Sequence, residues 1–82
     1  MSQSKTIILK ALGNLVKQKR KAHGLSQEEL GFRSSLDRTY ISGVERGIRN
    51  PSFTALVSLA NGLDLTVSEL LENLEIEVNK LT

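Results

Sequence analysis

The 82-residue chain has no cysteine, no tryptophan and a single proline, and only 4% of its residues are aromatic. Without cysteine it can form no disulfide, thiolate metal site or cysteine nucleophile. Its longest apolar runs, such as residues 7–9, are far shorter than the ~20 residues that a membrane-spanning helix needs. No N-terminal stretch resembles a signal peptide, so we expect a cytoplasmic protein with no membrane partner. The scarcity of aromatic residues disfavours RNA binding through stacked bases.

The chain also lacks any motif that predicts catalysis. It contains no glycine-rich phosphate loop, nucleophile motif or metal-binding spacing. Its one histidine, His23, stands just before Gly24 at the end of the first predicted helix, where a cation complements the helix dipole. We therefore expect no enzyme activity, no metal, no cofactor and no small-molecule effector.

Charge is distributed unevenly along the chain. Residues 1–50 hold ten lysines and arginines against four acidic residues, whereas residues 51–82 hold one lysine against five acidic residues. The net charges of the two parts are therefore +6 and −4. A basic first half favours an anionic partner that meets one face of the molecule. Lys17, Lys19 and Lys21 are expected to add to this general field rather than to make specific contacts.

Apolar residues recur with helical spacing, and no stretch alternates long enough to predict a strand. Capping boxes, which begin helices, occur at residues 26–29 and 66–69, and Asp37 is expected to cap a further helix. The prediction is one all-α domain, residues 1–82, forming a compact bundle of about five short helices. These cover about residues 6–22, 27–34, 38–46, 52–62 and 66–82. The fourth helix is expected to direct these side chains inwards: Phe53, Leu56, Val57, Leu59 and Ala60.

Residues 27–46 have the pattern of two short helices joined by a tight turn. Four apolar positions are expected to lock these helices together: Leu30, Leu36, Ile41 and Val44. Gly31 costs about 1 kcal/mol relative to alanine inside a helix, which indicates a close crossing of the two helices. The pattern resembles the helix-turn-helix, whose second helix enters the major groove of DNA.

A wider resemblance, to the lambda-repressor-like helix-turn-helix regulators, covers about residues 12–72. It rests on LSQEEL (25–30), RTYISGVERGIRNPS (38–52) and LVSLANGLDLTVSELL (56–71). More narrowly, LDRTYISGVERGIRNPS is similar to the controller proteins of restriction–modification systems. Those are small homodimeric transcription factors that bind operators upstream of their own gene and the endonuclease gene. Ser35 departs from the family's usual glycine, which implies a left-handed backbone at Ser35 or a slightly different turn.

The resemblance also implies a mechanism of regulation. Activation would come from placing the dimer beside RNA polymerase, and repression from occluding the polymerase at a second, weaker site.

The face of the third helix opposite Ile41 and Val44 supplies the candidates for contact with base edges. These are Arg38, Thr39, Ser42, Gly43 and Arg46. Arg38 is the first choice for bidentate bonding to a guanine, because the first residues of a recognition helix lie deepest in the groove. Gly43, which has no side chain, would let the helix approach closely.

A second set of residues is expected to contact phosphates and so to fix the register of the protein on DNA. Gln27 begins the second helix, where free N–H groups and the helix dipole favour a phosphate. The family match suggests backbone contacts from Tyr40, Arg49 and Asn50 as well. For Tyr40, packing against the second helix is an equally good interpretation.

Arg20 and Glu45 are predicted to form a salt bridge between the first helix and the recognition helix. The prediction comes from relatives of this fold, in which the matching positions are paired. The alternative is two unrelated exposed charges.

The C-terminal helix, about residues 66–82, is expected to contribute to a homodimer interface held away from DNA. Its apolar positions are Val67, Leu70, Leu71, Leu74 and Val78. A two-fold dimer would present its recognition helices about 34 Å apart to a pseudo-palindromic operator. The alternative is that this segment folds back on its own subunit.

A function of another class also fits the sequence. In an antitoxin the apolar C-terminal segment would bind a toxin protein, and DNA binding would serve autoregulation. The neighbouring genes distinguish the two functions, since a controller lies beside a methyltransferase and an endonuclease and an antitoxin beside a small toxin gene.

Overall fold

The computed structural model describes residues 4–82, which form six helices and no strand. The helices are α1 (Lys5–Ala22), α2 (Gln27–Ser34), α3 (Arg38–Glu45), α4 (Phe53–Gly62), α5 (Val67–Leu70) and α6 (Leu74–Lys80). The predicted all-α class is confirmed. The count is six rather than five because the last predicted helix is divided in two. The predicted domain begins at residue 1, and residues 1–3 lie outside the described part of the chain.

Short-range capping bonds determine where most helices begin. The side-chain oxygens of Ser4, Ser26, Ser52 and Thr66 each accept a hydrogen bond from the backbone N–H three residues ahead. Both predicted capping boxes are present. Asp37 does precede α3, but its side chain makes no hydrogen bond to the start of the helix. The prediction that the Asp37 side chain caps α3 is therefore wrong.

Four helices end at a residue with left-handed backbone. The φ angles are 75° at Gly24, 57° at Ser35, 76° at Gly47 and 58° at Asp64. In each case this residue and the next donate their N–H groups to carbonyls of the last helical turn, which is the Schellman arrangement. Ser35 therefore adopts the left-handed conformation that its place in the turn implied.

The core lies where α1, the helix-turn-helix pair, α4 and α5 meet. α1 packs against α3 and α6, α2 packs against α3 and α4, and α4 packs against α5. Leu30, Ile41 and Val44 are almost wholly buried, and half-buried Leu36 packs beside them, so the predicted lock between α2 and α3 is present. At Gly31, a Cβ would lie 2.6 Å from the carbonyl oxygen of Leu36. The turn therefore rests directly on α2.

The fourth helix differs from expectation at its first residue. Leu59 and Ala60 are buried, and Leu56 and Val57 are half-buried, as their inward assignment requires. Phe53, also assigned inwards, is 69% exposed. It lies in the first turn of α4, beyond the edge of the core.

The C-terminal segment folds onto its own chain. Turns at residues 71–73 separate α5 from α6, and α6 packs against α1. Leu70 and Val78 are buried within the chain, so their assignment to a dimer interface is wrong, and the fold-back alternative describes α6. Val67, Leu71 and Leu74 are half-buried.

Polar contacts also attach α6 to α1. The side-chain amide of Gln18 donates to the Glu77 carboxylate at 3.2 Å. This hydrogen bond is the main cause that lowers the pKa of Glu77. The Glu77 carboxylate is thereby kept charged at an otherwise buried position.

None of the helices in residues 4–82 has the length and apolar character required to cross a membrane.

Candidate nucleic-acid interface

The recognition helix, α3, has one face fixed in the core and one face open. Ile41 and Val44 are 0% and 1% exposed, whereas Arg38, Thr39 and Arg46 are exposed. Ser42 is half-buried on the edge of the open face. Four of the five residues predicted to contact bases are thus accessible, and Arg38 occupies the first position of the helix.

Gly43 is the exception in this set, because it is buried. The side chain of Arg49 lies over it, so that a Cβ on Gly43 would be 3.2 Å from the Cβ of Arg49. Gly43 was expected to let the helix approach DNA closely, but in the folded chain Arg49 occupies the space beside it. A helical wheel places Gly43 on the open face, but the chain that follows α3 turns back and covers it.

Arg49 is held close to the recognition helix. Its guanidinium carbon lies 4.9 Å from the centroid of the Tyr40 ring, a cation–π geometry. Tyr40 is half-buried and packs against the core, while Arg49 and the neighbouring Asn50 are exposed. The ring of Tyr40 thus both packs inside the chain and supports a cation on its surface.

Gln27 is placed differently from the expectation. Its side-chain amide donates to Oε1 of Glu45 at 3.1 Å, which directs it towards the interior. Its backbone N–H, at the start of α2, is the donor placed to meet an anion at the helix N-terminus.

The Arg20–Glu45 ion pair is present and bidentate. Nε of Arg20 donates to Oε2 of Glu45 at 2.6 Å, and Nη2 donates to Oε1 at 3.0 Å. Nη1 donates to the carbonyl oxygen of Leu25 at 2.8 Å, so the guanidinium joins α1, the α1–α2 connection and α3. The bond to Glu45 raises the pKa of Arg20 above its usual value, against the opposing effect of burial.

A second glycine, Gly13, also positions α3 and was not predicted from the sequence. A Cβ on Gly13 of α1 would lie 2.5 Å from the carbonyl oxygens of both Val44 and Glu45. The end of the recognition helix therefore rests directly on the backbone of α1. The cost of glycine in a helix interior, the signal used for Gly31, also applies to Gly13.

A polar cluster on another surface was missed as well. The carboxylate of Asp64 lies 2.9 Å from both Nε2 of His23 and Nη2 of Arg33. Arg33 also donates through Nε to the carbonyl oxygen of Gly62 at 2.7 Å. His23 thus has a specific partner in addition to its place at a helix end. No sequence pattern indicates this contact, since His23 and Asp64 are 41 residues apart.

Within residues 4–82, no group of three histidine, cysteine, aspartate or glutamate side chains is placed to hold a metal ion. The chemistry available at the open face of α3 is that of arginine and hydroxyl groups. These groups donate hydrogen bonds to base edges and phosphates.

The helix-turn-helix family model matches residues 16–70. The chain belongs to the helix-turn-helix family. The control protein C.MunI of Mycoplasma sp is 44% identical to it over 66 residues, which are 79% of this chain and 89% of C.MunI. The crystal structure of the restriction–modification controller C.AhdI from Aeromonas hydrophila superposes with a TM-score of 0.74 at 48% identity. The match covers 76% of this chain and 94% of C.AhdI.

A further solved structure carries DNA. The controller C.Esp1396I, as a tetramer in complex with its natural 35-base-pair operator, matches with a TM-score of 0.80 at 36% identity. The match covers 88% of this chain and 95% of that protein. The resemblance to controller proteins is therefore confirmed, and this helix-turn-helix chain is assigned to the transcription regulators.

Proposed function

We propose that this regulator binds a pseudo-palindromic operator as a homodimer and controls the expression of restriction–modification genes, including its own. The observation that carries the proposal is the division of α3 into a fixed face and an open face. Arg38, Thr39 and Arg46 stand on the open face, on a helix that the Arg20–Glu45 pair holds in place. The match to a controller bound to its operator supports the same use of the helix.

Base recognition is assigned to the accessible residues of α3. Arg38, at the helix start, would donate two hydrogen bonds to a guanine, which is worth about 1–3 kcal/mol of discrimination. Thr39 would contact a thymine methyl group or a base edge. Ser42 and Arg46 would extend the contact towards the end of the helix.

Phosphate contacts are assigned to the flanks of α3. Arg49 and Asn50 are exposed beyond its C-terminal end, and Tyr40 supports the guanidinium of Arg49. The backbone N–H of Gln27 offers one more donor at the start of α2. These contacts orient the protein on the duplex and carry no sequence information directly.

The dimer interface is assigned to the apolar surface that the chain leaves uncovered on α4, on α5 and at the start of α6. Val67, Leu71 and Leu74 are only half-buried, and Phe53 is exposed on the helix that packs against α5. Burial of such side chains against a second copy is favourable because it removes apolar area from water. A dimer formed there would present two recognition helices to successive turns of DNA.

The experiment that tests the proposal is selection of bound duplexes from a random library, repeated with Arg38→Ala at matched salt. We expect a two-fold symmetric site for the natural protein and one relaxed base step in each half-site for the variant. Lys21→Ala, which removes an exposed cation from α1, is the control and should weaken binding without relaxing any position. Recovery of no motif, with binding that merely fades as salt rises, would contradict the proposal.

The antitoxin alternative needs a free apolar C-terminal segment for the toxin. Leu70 and Val78, which it would use, are buried within the chain. The neighbouring genes provide the independent check, and a methyltransferase and an endonuclease are the expected neighbours.

For activation, we propose that the bound dimer contacts RNA polymerase, as the family resemblance implies.

A further inference from the structure

The chain that follows α3 is attached to Gly43 by its backbone. Gly47, with φ of 76°, reverses the chain direction at the end of the helix. The N–H groups of Ile48 and Arg49 then both donate to the carbonyl oxygen of Gly43, at 3.0 and 3.2 Å. Arg49 is thus brought back beside the middle of the recognition helix rather than carried away from it.

The side chain of Arg49 is held from two directions. Its aliphatic part crosses Gly43, where an added Cβ would lie 3.2 Å from Cβ and 3.8 Å from Nε of Arg49. Its guanidinium stacks on Tyr40. Tyr40 and Gly43 are separated by one helical turn, so together they form a seat for Arg49 along the helix.

This seat leaves little room for a side chain at position 43. A contact of 3.2 Å is tighter than most Cβ contacts, so even a methyl group would require the Arg49 side chain to shift by a few tenths of an ångström from its place on the helix. Arginine is a flexible side chain, and holding it in place before binding reduces the entropy that DNA binding must otherwise cost.

We propose that Gly43 is a positioning residue, which lets Arg49 lie against α3 and hold its guanidinium ready for a DNA phosphate. Gly43 itself does not touch DNA. The inference rests on the proposed function and adds a role for Gly43 that replaces its expected place among the residues that contact bases.

The test is a double-mutant cycle with Gly43→Ala, Arg49→Ala and the double variant. The dissociation constant for the selected operator duplex is measured at several salt concentrations. Gly43→Ala is expected to weaken binding about three- to tenfold. The slope of the logarithm of the binding constant against the logarithm of the salt concentration should become shallower, by an amount per half-site that approaches the ~0.9 of one lost phosphate contact. Alanine is a better helix former than glycine, so the melting temperature of the variant is expected to stay close to that of the natural protein.

The decisive comparison is between the double variant and Arg49→Ala. If Gly43 acts through Arg49, adding Gly43→Ala to Arg49→Ala has no further effect on binding or salt dependence. An additive loss, or wild-type binding by Gly43→Ala, overturns the inference while leaving the proposed function intact. Failure of the natural protein to select an operator would instead overturn the proposed function.

Discussion

At the scale of single residues, Glu45 is the group on which the placement of the recognition helix depends. Its carboxylate accepts two hydrogen bonds from Arg20 and one from Gln27. The three residues come from α1, α2 and α3. Arg20 and Glu45 are each 8% exposed, so neither charge has water as an alternative partner.

Glu45→Ala is predicted to lower the free energy of unfolding by about 3–5 kcal/mol, because it leaves the buried Arg20 guanidinium without its counter-charge. Urea denaturation at neutral pH measures the loss. Glu28→Ala removes an exposed acidic residue from α2 and is the matched control, with an expected change within about 0.5 kcal/mol. Equal stability of the two variants would show that the pair contributes nothing.

Ser35→Gly is predicted to stabilise the protein by about 0.5–1 kcal/mol, because only glycine adopts a left-handed backbone without a steric cost. In a domain of this size the expected rise in Tm is about 2–8 °C. Ser35→Ala keeps a Cβ at the same φ of 57° and should give no rise. A thermal melt of the natural protein and the two variants decides whether glycine relieves backbone strain at position 35 or whether the turn accepts any residue there equally well.

Apart from the Arg20–Glu45 pair, which was predicted from relatives of the fold and spans 25 residues, the sequence predicted mainly contacts whose causes lie close together along the chain. Both capping boxes and the left-handed Ser35 depend on neighbours within about one turn. Gly43 was assigned wrongly because its surroundings depend on the course of the chain after Gly47. The Asp64 cluster escaped prediction because the α4–α5 connection meets α1 and α2 only in the folded chain.

At the scale of helices, the periodic sequence of residues 66–82 conceals a break. Residues 71–73 keep backbone hydrogen bonds between positions three apart, such as Leu74 N–H to the Leu71 carbonyl oxygen at 3.0 Å. These tighter turns replace the hydrogen bond between residues four apart that a regular α-helix makes, and they redirect the helix axis. The apolar residues nevertheless still recur every three or four positions along the sequence. Periodicity alone therefore marked Leu70 and Val78 as contact positions, but it did not predict that their own chain covers them.

Asp64 connects three helices in the same way that Glu45 connects α3 to its neighbours. It lies after α4 and binds His23 at the end of α1 and Arg33 of α2. The hydrogen bonds from His23 and Arg33 lower the pKa of Asp64 below its ordinary value of 3.8. A carboxylate with a lowered pKa stabilises the fold while it is ionised.

Asp64→Asn is predicted to remove this contribution while keeping a residue that tolerates the left-handed backbone. Above the ordinary pKa the natural protein should be more stable than the variant, and the difference should shrink as the pH falls through the lowered pKa of folded Asp64. Urea denaturation of both proteins between about pH 5 and pH 2 measures the difference. A constant difference across this range would exclude the ionised carboxylate as its cause.

At the scale of the whole molecule, α3 carries none of the large exposed apolar residues in the described part of the chain. Phe53 on α4 is 69% exposed, and the half-buried residues of α5 belong to a helix that packs against α4. The sequence predicted an apolar dimer surface in the C-terminal third. Which residues form it could not be predicted, because α6 uses part of the apolar set to cover α1.

Phe53→Ser is predicted to shift the protein from dimer towards monomer, because it removes apolar area from the proposed interface without touching the core. Sedimentation at tens of micromolar protein measures the shift, and binding to the full operator should weaken more than binding to one half-site. Phe32→Ser is the matched control, since Phe32 is 88% exposed on α2 and is not among the residues assigned to the proposed interface. A dimer that survives Phe53→Ser places the interface elsewhere.

The two faces of α3 separate the chemistry of stability from the chemistry of recognition. Ile41, Val44 and Glu45 fix the helix, whereas Arg38, Thr39 and Arg46 are free of the core. If this second group contacts bases as proposed, a substitution in it is expected to change the preferred operator at little cost to folding. Diverging copies of such a gene can therefore acquire new operators one substitution at a time, each through a protein that still folds.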